Sequence, residues 1–254
     1  QTMPPKAYLY AVPREWYTQY RLRRYGFHGT SHKYIARETA NFLGKPLAET
    51  NIISIHLGNG CSMAAIRNGK CVDTTMGVTP LEGLVMGTRS GDIDPAALEY
   101  IMEQTGMDIH QMLNALNKQS GLKGLCGVND MREVVERTAK GNEQAETALQ
   151  IFCCRIQKYI GAYMAVVKNL DAIVFTAGIG ENSWPVRERV CRDLEHLGLN
   201  LDLDKNSAPS REARAIEKEG APIRILVVPT NEELQIALET KEIIERRAAP
   251  EQSA

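Results

Sequence analysis

Five short segments of this 254-residue chain hold residue types that could handle a phosphate. His56-Leu57-Gly58-Asn59-Gly60 sets an imidazole and two glycines at the end of a β-rich run. Glycine lets the backbone approach an anion closely, and successive amides can form a concave donor site. A plain Asn-Gly hairpin turn accounts for the same residues. Thr176-Ala177-Gly178-Ile179-Gly180-Glu181-Asn182 follows a second apolar run and precedes a helix with Pro185 near its start. Helix amino termini favour anions and open glycine turns admit flat ligands, while a tight strand-to-helix turn explains it equally well.

The third segment, Tyr25 to His32, places two histidines four apart beside glycines in a turn before a helix. His28, between Phe27 and Gly29, is the better candidate to meet a negative group as a protonated or hydrogen-bonding imidazole. His32 reads as a helix-surface residue. In the fourth, Met86 to Asp92, Arg89 stands between glycines on a mobile loop, and its planar fork matches phosphate oxygens. A surface pairing with Asp92 or Asp94 is the plain alternative. In the fifth, Thr230 and Glu233 fit a capping box, which leaves Glu232 spare as a hard oxygen ligand for Mg²⁺, directly or through water. Neither glycine cluster completes G-x-G-x-x-G, because Met63 and Ser183 take the last position. Gly69-Lys70 is followed by Cys71 and lacks a Walker loop's leading glycine. A Rossmann dehydrogenase and a P-loop NTPase are both disfavoured.

The elements that must position these residues can be read from pattern. Hydrophobic residues make up 43% of the chain, enough for a sizeable core, and net charge is −1. Lys and Arg are dispersed, so nothing points to nucleic acid or an anionic membrane surface. The apolar runs 159–167 and 225–229 are too short to span a bilayer. Cys61, Cys71, Cys126, Cys153, Cys154 and Cys191 form no C-x-x-C pair and read as free thiols in a reducing cytoplasm. Residues 1–24 read as loop-rich and 31–43 as a helix capped by Ser31. Strands are expected at 52–57, 63–66 and 71–74, joined by tight turns into an antiparallel meander. A glycine- and proline-rich loop spans 74–94, and Asp94-Pro95 opens a helix. Helices follow to residue 170, clearest over 143–170. Then come a strand at 171–176, a turn and helix, a strand at 223–228, a helix at 231–246 and a frayed tail at 247–254. This order is an α/β layout with a mixed sheet.

Taken together, the strings YGFHGTSH (25–32), HLGNG (56–60), DTTMGVTPLEGLVMGTRSGDIDP (73–95), FTAGIGEN (175–182) and VPTNEEL (228–234) resemble the acetate kinase family, which includes propionate kinases. The resemblance implies a ribonuclease H-like domain of the actin, Hsc70 and sugar kinase type, with two similar domains facing each other across a nucleotide cleft. It implies that His28 contacts the transferring phosphoryl group, that Arg89 stabilises its charge, and that Glu232 is the magnesium-associated glutamate. His56, Leu57, Gly58, Asn59 and Gly60 would line the nucleotide phosphates. Asp130, Met131 and Arg132 would lie near the adenosine, and Gly178, Ile179, Gly180, Glu181 and Asn182 would complete the pocket. ATP or ADP with Mg²⁺, a small carboxylate (acetate or propionate), in-line transfer to an acyl phosphate, and a cytoplasmic homodimer follow from the same likeness. So does a division of the chain into 1–45 as the remnant of an amino-terminal domain and crossover segment, 46–246 as the carboxy-terminal nucleotide-binding domain, and 247–254 as tail. Family members carry a further amino-terminal domain whose essential aspartate lies in a motif running into Gln-Thr-Met-Pro, the residues at 1–4 here. The expectation is that these 254 residues alone bind nucleotide with little or no turnover.

Overall fold

The computed structural model of the chain describes residues 2–248. Two short helices, α1 (Pro5–Tyr8) and α2 (Arg14–Tyr20), lie in the segment expected to be loop, and α3 (Gly29–Leu43) follows. The meander is β1 (Ile52–Leu57), β2 (Cys61–Arg67) and β3 (Lys70–Thr74). After the long loop come α4 (Pro95–Thr105), α5 (Ile109–Lys118), α6 (Gly121–Cys126), α7 (Met131–Ala139) and α8 (Glu143–Val167). The chain then runs through β4 (Ala172–Thr176), α9 (Ala177–Asn182), α10 (Trp184–Cys191), α11 (Leu203–Ser207), β5 (Arg214–Ala215), β6 (Arg224–Val227) and α12 (Glu232–Ala248). Of the expected tail, 247–248 continue α12, and the rest lies outside the described residues.

The strands form one six-stranded sheet in the order β3-β2-β1-β4-β6-β5. β1 pairs antiparallel with β2 and parallel with β4, and β4 pairs parallel with β6. The mixed sheet expected from the element order is therefore present. β1 is central and all six of its residues are buried. Strand alternation sorts its side chains between two layers. Ile53, Ile55 and Leu57 join the larger core with Phe152, Ile156 and Ile160 of α8 and Phe175 of β4. Ile52 faces the other way, with Ile35 and Ala36 of α3, Val174 of β4 and Leu226 of β6. Segment 1–45 thus contributes α3 to the same packed body as the sheet.

Some local readings need correction. The helix assigned to start at Ser31 starts at Gly29, because His28 takes a left-handed conformation (φ 56°) that turns the chain early. Ser31 is then inside the helix, fully buried, and caps nothing. Asp94 does cap α4, accepting from the Ala96 amide at 3.0 Å. All six cysteines are unpaired, with only Cys154 fully exposed among them. Among the described residues no helix is long and apolar enough to cross a membrane.

Candidate active site

Because β1 and β4 are parallel neighbours, with His56 opposite Thr176, the connections that follow them emerge at the same sheet edge. The β1–β2 turn supplies Gly58 and Asn59 to a pocket of about 590 Å³ there; Gly178, Ile179 and Asn182 of α9 and Trp184 and Pro185 of α10 form another wall. Asp130, Met131 and Arg132, at the start of α7, close a third side. The volume suits a nucleotide-sized ligand. Asp130 caps α7 by accepting from the Arg132 amide at 2.9 Å, and its carboxylate grips the Arg132 guanidinium at 2.6 Å. That side-chain bond holds the Asp130 carboxyl down at about 2.

Gly60, next in the turn, touches a second cluster. A Cβ built there would lie 3.3 Å from Arg89 Nη1 and 3.4 Å from the Cε1–Nε2 edge of His28. The two donors named from the sequence therefore converge on one glycine beside the pocket. The His28 ring stacks on His56 with centroids 4.1 Å apart. Burial, then the Arg89 charge, lowers the His28 pKa below its ordinary value. Burial, then His28, takes His56 to about 3. Of the two forms left open for His28, the neutral hydrogen-bonding imidazole is favoured at neutral pH.

Arg89 makes no ion pair among the described residues. Its Nη1 reaches only the Pro80 carbonyl, at 3.4 Å, and the Met86 sulfur. The alternative pairing with Asp92 is not realised. Asp92 instead faces Arg155 at 3.2 Å and accepts from the Tyr159 hydroxyl. Nor is the loop around Arg89 loose. Leu84 and Met86 are fully buried, and the Leu122 amide of α6 donates to the Met86 carbonyl.

Other candidates fall away from the pocket surface. The Leu57 side chain is in the core. A Cβ built on Gly180 would lie 3.4 Å from the Phe175 carbonyl carbon and 3.7 Å from the Ile55 carbonyl oxygen. Glu181 Oε1 accepts from the Ala177 amide at 2.8 Å and from the Thr230 amide at 3.0 Å, so it ties α9 to the β6–α12 connection. Gly178 to Asn182 are wound into α9 rather than left as an open turn. The capping box assigned to Thr230 and Glu233 does not form. Asn231 accepts from the Leu234 amide, while the Thr230 hydroxyl lies 3.1 Å from Ser31 Oγ, which reaches His56 Nδ1 at 2.8 Å.

Glu232 opens α12, half-buried, with no ion-pair or hydrogen-bond partner among the described residues. No group of three or more His, Cys, Asp or Glu suited to a metal occurs among them. Mg²⁺ commonly takes one or two carboxylates with substrate phosphates and water, so a lone unpaired carboxylate fits.

Some residues of consequence have a weaker sequence signal. His32, expected at the surface, is buried against Ser54 and Ser62. Its spacing with Ile35, Ala36, Thr39 and Ala40 marks the buried face of α3. Arg187 is also buried. It donates to the Gly180 and Glu181 carbonyls at 2.9 Å and to both oxygens of Asn206. Its place three and four residues before Val190 and Cys191 is the available signal.

An antiparallel meander extended by parallel strands, with helices on both faces and a nucleotide-sized pocket at the strand ends, defines an α/β domain of the actin, Hsc70 and sugar kinase type. The sequence model of the acetokinase family matches residues 1–238, and the chain belongs to that family. It is 59% identical to an acetate kinase of Nitratidesulfovibrio vulgaris (strain Miyazaki F) over 244 residues, which are 96% of this chain and 60% of that protein. The crystal structure of Porphyromonas gingivalis acetate kinase superposes with a TM-score of 0.93 at 43% identity, covering 96% of this chain and 61% of that one. A propionate kinase from Francisella tularensis subsp. tularensis gives 0.89 at 47% identity, covering 94% and 60%. The chain thus spans about 60% of the length of the curated relatives it matches.

Proposed function

We propose that this chain supplies the nucleotide-binding half of an enzyme that moves a phosphoryl group between ATP and acetate, giving acetyl phosphate and ADP. One observation carries the reading. The turn that lines the pocket with Gly58 and Asn59 continues into Gly60, against which Arg89 and His28 both rest. A nucleotide seated between Ile179 and Met131 would direct its phosphates toward two hydrogen-bond donors. Phosphoryl transfer depends on alignment and on stabilising charge spread over equatorial oxygens, and these donors suit that task. Arg89, with no carboxylate partner among the described residues, is open to a ligand. Glu232 would hold Mg²⁺, which when bound offsets charge on the β- and γ-phosphates.

The division at 45/46 leaves α3 in the first segment, packed on the sheet of the second. A cytoplasmic homodimer agrees with the family likeness and with the unpaired thiols. In the full-length protein, steady-state rates with acetate, propionate and butyrate test the reaction and the acyl preference; faster propionate turnover would select the propionate kinase reading. Arg89→Ala is expected to cost about 10²–10³ in kcat. Unchanged turnover in that variant would falsify the assignment.

A further inference from the structure

Beneath the His28 edge lies a file of buried polar side chains that phosphoryl contact alone does not require. Ser54 of β1 and Ser62 of β2 are fully buried, and His32 of α3 is 5% exposed between them. His32 Nδ1 is 2.8 Å from Ser54 Oγ, and its Nε2 is 2.8 Å from Ser62 Oγ. Ser62 Oγ is in turn 2.8 Å from His28 Nδ1.

His32 is neutral in this setting. Burial, with His56 and His28 close by, holds its pKa well below the ordinary value. A neutral imidazole has one N–H and one acceptor nitrogen, and a serine hydroxyl has one proton to give. The three bonds can then run concertedly in two senses; a third arrangement, in which Ser62 accepts from both rings, leaves the fully buried Ser62 proton with no acceptor among the described residues. In the first, Ser54 donates to His32 Nδ1, His32 Nε2–H donates to Ser62, and Ser62 donates to His28 Nδ1. In the second, His28 Nδ1–H donates to Ser62, Ser62 to His32 Nε2, and His32 Nδ1–H to Ser54.

The ends of the file distinguish them. In the second sense the Ser54 hydroxyl proton has no acceptor among the described residues, in a fully buried position. An unsatisfied buried donor is costly. The second sense also turns a lone pair of His28 Nε2 outward toward Gly60. Beside an anionic phosphoryl oxygen that is repulsive. The first sense leaves no buried proton unpaired and presents an N–H at the same place.

We infer that Ser54, His32 and Ser62 form a one-way hydrogen-bond relay that fixes His28 with its proton on Nε2, facing the pocket. His32 and Ser62 are thereby positioning residues for His28. Their part in turnover rests on the reading of His28 as a phosphoryl contact; the tautomer does not.

Selective ¹⁵N-histidine labelling of the full-length protein reads the tautomers directly, with His28→Gln and His32→Gln assigning the two rings. Both rings are expected as Nε2–H tautomers at pH 7. A proton on Nδ1 of either ring, or an imidazolium, overturns the relay. In turnover, Ser62→Ala and His32→Leu are expected to lower kcat on the order of tenfold with little change in nucleotide KM, through lost alignment. His32→Gln, whose amide can still donate to Ser62, is expected to recover most of the rate. Equal losses in the folded Gln and Leu variants would count against the relay. If both tautomers are as stated and the protein moves no phosphoryl group, the relay stands and the kinase reading fails. Turnover with the opposite tautomers does the reverse.

Discussion

The turn after β1 and the short helix after β4 stand side by side on parallel neighbours, yet they are built in opposite ways. The turn works by omission. At Gly60 the missing side chain leaves room for Arg89 and His28. At Gly87, on the facing loop, a Cβ would lie 2.4 Å from Asn59 Oδ1. The helix works by attachment. Glu181 accepts from the amides of Ala177 and Thr230, and Arg187 donates to the Gly180 and Glu181 carbonyls. A helix of six residues leaves most of its terminal backbone groups without internal partners. These two charged side chains supply several of them. The comparison separates a surface tuned for close approach to a ligand from one tuned to hold its shape without a ligand.

Arg187→Met probes the attached side and has the largest expected effect on stability. It strands the Asn206 and Gly180 oxygens, for a loss of about 3 kcal/mol. In a chain of this size that is a fall in Tm on the order of 10 °C, measurable by calorimetry. Burial, with Arg214 nearby, draws the Arg187 guanidinium down to about 10, so it remains charged at neutral pH. Gly60→Ala probes the open side. Its new methyl meets Arg89 and His28 rather than the core, so on the proposed function kcat should fall on the order of tenfold while Tm holds. A variant that loses stability but keeps its rate would reverse the contrast.

Acid sharpens the contrast further. Unfolding releases His28, His32 and His56 to take up protons near 6.5, whereas the folded imidazoles stay neutral to lower pH. Their contribution is fully present above 6.5 and is lost as pH falls, down to about 3 for His56. The slope is at most about 1.4 kcal/mol per pH unit for each histidine. Urea midpoints from pH 7 to 5 check this. Replacing His56 by Phe should flatten the slope, whereas Arg187→Met should leave it unchanged.

What the sequence made legible was local. The meander, the Asp94 cap and β4 follow from alternation, turn residues and capping chemistry within a few positions. The convergence of Arg89, His28 and Gly60 was implied by the family resemblance and not by local pattern, because the contact joins residues from a helix cap, a hairpin and a long loop. Ser31 and Thr230 carried correct capping chemistry for the wrong partner. Each hydroxyl is drawn instead to a group distant in sequence, Ser31 to His56 and Thr230 to Ser31. Arg187 belongs to no motif, since its acceptors are carbonyls of a preceding helix and a later asparagine.

β1 also pairs with one strand near it in sequence and one far from it. Its bonds to β2 close within one hairpin, Leu57 against Cys61, while its bonds to β4 must wait for Ala172 to arrive opposite Ile52. Short-range contacts form faster than long-range ones because less chain must be closed. The glycine turn is therefore expected to take shape early, and the cleft between it and α9 to be completed late. Pulse-labelled amide exchange should find β2 protected before β4; simultaneous protection would argue for a single concerted step.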